Sequence, residues 1–110
     1  MGKFVKGDVV IIPFPFTDLS GNKKRPALVL ANLHGDDLIV CQITSMSRSD
    51  ALALSLNKDD FISGSLPVDS FIRPNKIFTA DKNIILSVTG HISDLKIRDT
   101  INAVVSIISS

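Results

Sequence analysis

The chain has 110 residues, 45% of them hydrophobic, with 12 basic and 11 acidic side chains and a formal net charge of +1. That length suits one domain spanning residues 1–110 around a single core, and the hydrophobic share argues against disorder. The near-neutral balance excludes a general polycation, so any nucleic-acid site has to come from local clustering of charge. No apolar run approaches the ~18 residues that cross a membrane. The opening MGKFVKGD also lacks a signal-peptide core, which points to a cytoplasmic protein without membrane contact. One cysteine, Cys41, rules out an internal disulfide framework and fits a reducing compartment. Within the apolar run Leu38–Ile43 it reads as a buried thiol rather than a nucleophile. All 11 acids are aspartate, and glutamate, tyrosine and tryptophan are absent. A glutamate general base and base stacking on Tyr or Trp are thereby excluded.

In chain order, Lys6–Pro13 opens on Gly-Asp and runs into Val-Val-Ile-Ile, a β-branched run bounded by proline and too short for a helix. Pro13 and Pro15 cannot donate to a ladder, so this strand is expected to end, bend or lie at an edge there. Ser20-Gly21-Asn22 signals a turn within a longer connection. Pro26 opens the next strand, which continues over Ala27–Leu33. His34–Asp37 is a turn leading into the strand Leu38–Thr44. Ser45–Asp50 is a polar break, and Ala51–Leu56 is ambiguous between strand and helix. Asn57–Asp60 is a turn and Gly64–Pro67 is irregular. Val68–Ile72 reads as a strand closed by Pro74-Asn75, with a further strand at Lys76–Thr79. Ile84–Val88 is apolar. Ser93 then suits a helix N-cap with Asp94 in the first turn. Ile97, Ile101, Val104, Val105 and Ile108 follow at helical spacing. Many short strands and one amphipathic helix predict a mainly β fold, a small closed or nearly closed barrel capped by a C-terminal helix.

The segment Gly7–Leu30, GDVVIIPFPFTDLSGNKKRPALVL, places the only run of three bases, Lys23-Lys24-Arg25, against a proline and an apolar strand. It closely resembles the start of the MazF/PemK (Kid-like) toxins of type II toxin–antitoxin systems. Weaker likeness continues over Ile39–Ser45 and Ser70–Lys82. The order of motifs agrees: Gly-Asp strand, loop, Arg-Pro, a strand ending in Thr-Ser, then a late Asp-Lys. The resemblance implies an SH3-like barrel of the CcdB/Kid/MazF type, arranged as a homodimer. It also implies metal-independent, sequence-selective cleavage of single-stranded mRNA, and a cognate antitoxin protein as partner. The loop TDLSGNKK departs from the acidic, glycine-containing loops of better-known members, which bears on cleavage specificity rather than on chemistry.

The residues fit such a reaction. His34 and His91 are far apart in sequence, no metal-ligand spacing is visible, and no cofactor motif or paired Ser–His or Cys–His nucleophile appears. RNA supplies its own nucleophile, the 2′-OH beside the scissile phosphate. The protein has to align that hydroxyl, move protons and stabilise a transition state rich in negative charge. Arg25 is the candidate for the charge role, because its guanidinium is permanently protonated and can fork onto two phosphate oxygens. Pro26 fixes the backbone beside it. Outside the family context, a solvated arginine in a charged run is the commoner outcome. The resemblance implies that Thr44, with Ser45 as second choice, works beside that arginine; otherwise Thr is an ordinary strand residue and Ser an ordinary loop residue.

Lys23 and Lys24 are expected to hold the RNA backbone by charge. Asp18 and Phe16 join them as candidate RNA contacts, against plainer roles as a turn-making aspartate and a core aromatic. Arg73 and Asp81-Lys82 resemble a second family segment and are kept outside the catalytic set, the latter as support for the fold or dimer. His91 is expected to be a structural or surface residue. Two alternatives remain on sequence grounds. One is a CcdB-like toxin that binds gyrase without catalysis; the other is a non-catalytic SH3-like RNA- or protein-binding module.

Overall fold

A computed structural model describes residues 3–13, 23–45 and 51–110. Within them seven strands, β1 (Asp8–Pro13), β2 (Lys24–Asn32), β3 (Asp37–Thr44), β4 (Leu54–Leu56), β5 (Phe61–Gly64), β6 (Ser70–Asp81) and β7 (Ser87–Ile92), precede one helix, α1 (Asp94–Ser109). The strands form a single antiparallel sheet in the order β4-β6-β3-β2-β1-β7-β5. Its two edges, β4 and β5, are consecutive in sequence and joined by a 3-10 turn at Lys58–Asp60, so the sheet curls into a half-barrel. The predicted mainly β barrel with a C-terminal helix is therefore what forms, open along one seam.

Central strands of this sheet are buried on both faces, which explains their continuous rather than alternating hydrophobicity. Val9, Leu28, Cys41, Ile43 and Ile72 pack in one cluster, against which Ile97 and Val104 of α1 rest. Val10, Ala27, Val29 and Val40 form a second cluster on the other face, flanked by Phe4, Phe78 and Ile85. Cys41 is fully buried, and desolvation pushes its thiol up to about 12, so it is a packing residue.

The helix locks the seam. Ser93 caps it by accepting from the Lys96 amide at 3.2 Å, and its own amide donates to Asp60 O at 2.8 Å. Lys96 Nζ reaches Ser55 O at 2.9 Å and lies 3.7 Å from Asp60 Oδ1. One side chain thus ties β4 to the turn that precedes β5.

As expected, β1 ends at Pro13; it is an inner strand between β2 and β7. Other expectations need correction. The two strands expected around Pro74-Asn75 are one, β6. Its pairing with β3 jumps from Gln42↔Arg73 to Cys41↔Ile77, so Pro74–Lys76 bulge out of the ladder and the missing proline N–H is not needed there. Strand β5 had no expectation, and Ile84–Val88 divides between a 3-10 turn (Lys82–Ile84) and β7. On α1, Val105 and Ile108 are 55% and 67% exposed, so the buried face is narrower than the apolar spacing suggested. Lys82 donates to the carbonyls of Leu33 and Gly35, and Asp81 accepts from the Asn83 amide, so both brace the turn before β3 and the one after β6. No helix among the described residues is long and apolar enough to cross a membrane.

Candidate active site

Strands β1, β2 and β3 bring their ends together at one rim of the half-barrel. The ladder pairs Pro13 with Lys24, Ile12 with Arg25 and Ile11 with Pro26. On the other side of β2, pairing with β3 starts at Ala27↔Gln42, so Lys24–Pro26 have β1 as their only sheet neighbour. Pro26 therefore sits where a missing N–H costs no bond to β3. Alternation puts Arg25 on the face of Ala27, and Thr44 on the face of Gln42. Continuing the register by two residues sets Arg25 across from Thr44. The pairing is fixed by buried aliphatic residues on both faces of β2 and β3, since a one-residue slip would move every one of them.

A cavity of about 380 Å³ opens at this rim. It is lined by Lys24, Arg25 and Pro26 of β2, by Thr44 and Ser45 at the end of β3, by Ile11 and Ile43, and by Leu66, Pro67, Val68 and Ser70. Four candidates from separate segments are thus brought into one site. Arg25 and Thr44 are half-buried and Lys24 and Ser45 exposed. Lys23 is exposed and does not line the cavity. Asp18 and Phe16 lie outside the described residues.

The electrostatics of the rim are one-sided. Its described lining holds two cations and three hydroxyls but no carboxylate. Arg25 Nε is shut off from solvent and has no hydrogen-bond partner among the described residues. A buried donor on a cation left in that state favours an incoming acceptor, above all an anionic oxygen. Arg73 stands further along the same face, opposite Gln42, and its Nη1 donates to Gln42 Oε1 at 3.3 Å. Among the described residues no group of three or more His, Cys, Asp or Glu side chains converges to hold a metal ion.

Two features escaped the sequence reading. The Leu66–Ser70 wall carries no chemical signature; only the pairing of β6 with β3, Phe71 against Thr44, brings it to the rim. The other is a polar cluster elsewhere in the sheet. Asp8 and His91 are cross-strand neighbours on β1 and β7, and Asp8 Oδ1 accepts from His91 Nδ1 at 2.9 Å. A carboxylate only accepts, so Nδ1 carries the proton. The second oxygen, Oδ2, accepts from the Val5 amide at 3.0 Å.

Likeness to solved structures extends over nearly the whole chain. An endoribonuclease in complex with its cognate antitoxin from a mycobacterial species superposes with a TM-score of 0.75 at 17% identity, covering 97% of this chain and 96% of that one. A MazE–MazF structure from Deinococcus radiodurans gives 0.76 at 16% identity, with 98% and 97% covered. The Mycobacterium tuberculosis toxin MazF-mt6 gives 0.72 at 16% identity, with 93% and 96% covered. Such identities establish a shared fold. No curated protein matches the sequence. The model of the PemK-like, MazF-like toxins of type II toxin–antitoxin systems matches residues 5–108, and the chain belongs to that family.

Proposed function

We propose that this toxin is a metal-independent endoribonuclease that cuts single-stranded mRNA in the cytoplasm through attack of the 2′-OH on the adjacent phosphate. The observation that carries the reading is the convergence of Lys24, Arg25, Thr44 and Ser45 on one cavity whose described lining has no carboxylate. Arg25 forks onto the non-bridging phosphate oxygens and stabilises the charge that grows on them in the transition state. Thr44, or Ser45 beside it, donates to a phosphate oxygen or holds the 2′-OH in line for attack. Lys24, with Lys23 beyond the cavity, holds the flanking backbone by charge. The 2′-oxygen bonds to phosphorus as the bond to the 5′-oxygen breaks, leaving a 2′,3′-cyclic phosphate and a 5′-OH. The working form is a two-fold homodimer, a state light scattering reads directly. Its cognate antitoxin is a separate protein that covers the cationic rim.

Incubating the purified protein with a long single-stranded RNA in EDTA tests the reading. Expected are discrete fragments whose ends, by mass spectrometry, carry a 2′,3′-cyclic phosphate. A matching substrate with one 2′-deoxy substitution just upstream of the scissile phosphate should bind with similar affinity but stay intact. Cutting of that substrate, or a strict need for Mg²⁺, would replace 2′-OH attack with hydrolysis by activated water. Absence of any RNA cleavage would leave a toxin that acts by binding alone.

A further inference from the structure

Leu66, Pro67 and Val68 form a wall shared by two cavities. One is the Arg25–Thr44 cavity; behind the wall lies a smaller one of about 140 Å³, bordered by Leu56 and Phe61 at the seam. Leu66 packs onto the core cluster and anchors the segment. Ser70 Oγ donates to Val68 O at 3.0 Å, which pins the backbone two residues on. The Val68 side chain is left 57% exposed at the mouth of the candidate site.

The site is accordingly built in two halves. Donors and positive charge come from β2 and the end of β3, and the wall contributes aliphatic carbon to the same cavity. At about 380 Å³ the cavity has the size of a small-molecule site, larger than a lone phosphodiester requires. A nucleotide is divided in the same way, with an anionic phosphate at one end and an apolar base face at the other. With the phosphate on Arg25, the aliphatic residues of the same cavity are the surface that suits an attached base.

We propose that Val68, with Pro67 beside it, is a specificity-determining contact that receives a nucleobase flanking the scissile phosphate and selects it by size. This rests on the ribonuclease reading above. Selection by size follows from the chemistry of the wall. Valine and proline side chains offer base edges no donor or acceptor, and the Val68 carbonyl is already engaged by Ser70. No aromatic side chain is among the described residues lining the cavity, so a base there is fitted against aliphatic carbon rather than stacked on a ring. An aliphatic surface discriminates through the volume it leaves, and one methylene more or less changes preference by about tenfold or more.

The test maps cleavage sites across a long, mixed-sequence RNA for the wild-type protein and for Val68→Ala and Val68→Trp, which open and fill the space in opposite senses. Ile62→Ala serves as control, since Ile62 is exposed in β5 and borders neither cavity. Thermal melting establishes that each variant is folded. Expected is a shift of about tenfold in base preference at one nucleotide next to the cut. The shift should run towards larger bases in Val68→Ala and smaller ones in Val68→Trp, with the control pattern unaltered. Folded Val68 variants that cut at the wild-type sites with wild-type preferences would overturn the inference and leave the ribonuclease reading standing. A uniform loss of rate at every site, without a change of pattern, would also overturn it, because it would mark Val68 as a structural support. A wild-type protein that cuts no RNA overturns the reading itself and this inference with it.

Discussion

Two of the cavities among the described residues treat their polar side chains in opposite ways. In the cavity of about 280 Å³ lined by Asp8 and His91, the carboxylate uses both oxygens, one on the imidazole and one on the Val5 amide. Those polar groups satisfy each other, and the work they do is internal: they tie the segment before β1 to β7. At the rim of β2 and β3 the polar groups are cations and hydroxyls, and Arg25 Nε has no partner among the described residues. A carboxylate–imidazole pair in a cleft looks catalytic in a residue list, whereas an arginine at a strand end looks like ordinary surface. Hydrogen-bond accounting reverses that ranking, because an unmet donor asks for a ligand and a met one does not.

The contrast is most directly tested at Arg25. Arg25→Ala should leave a folded protein that cleaves RNA at least about a hundredfold more slowly, the scale of losing one transition-state donor. Arg25→Lys should recover little, because the two-pronged geometry is lost. Wild-type rates in Arg25→Ala would move the chemistry elsewhere. The converse holds at the other cavity. Asp8→Ala strands the His91 Nδ1–H and the Val5 amide, and should lower stability by about 1–3 kcal/mol in denaturant melts. The cleavage rate per folded molecule should stay unchanged; a collapse of rate with stability intact would make the Asp8–His91 pair part of the chemistry.

The smallest effect is expected at Cys41, which lies in the core and lines neither cavity. Its thiol is held neutral in the folded chain up to about 12 and ionises near 9 once exposed. Above 9 the unfolded state therefore binds fewer protons than the folded one, and stability falls as pH rises through that window. At pH 10 the loss should be about 1.4 kcal/mol. Cys41→Val, which carries no ionisable group, should remove that slope in melts at pH 8 and pH 10. An unchanged slope would assign the alkaline loss to other groups.

The elements that carry the rim could be read from the chain because each is specified locally. Val9–Ile12 and Leu38–Ile43 are β-branched or apolar runs bounded by turn residues, and Ser93 marks the helix start by its capping chemistry. Strands β4 and β5, at three and four residues, are too short for a period to show. Pro74 was a misleading signal because a proline breaks a strand only where its N–H is required, and a bulge removes the requirement. For the site, Arg25 and Thr44 could be proposed from chemistry and family likeness. Their meeting depends on the β2–β3 register, and the aliphatic wall on that of β3 with β6. The Asp8–His91 pair spans 83 positions, and no local pattern encodes a partner so distant.

The place of β1 in the sheet also matters during synthesis. β1 is made well before one of its two neighbours, β7, with Ile11 paired to Ser87. At about 5–20 residues per second, the intervening roughly 80 residues take on the order of 4–16 s to translate. Throughout that interval the Val9–Ile12 run has one open flank, the kind of unpaired apolar edge that recruits another chain. A nascent copy of this toxin is therefore most exposed to misassembly on the ribosome, before the residues that close its sheet have been made.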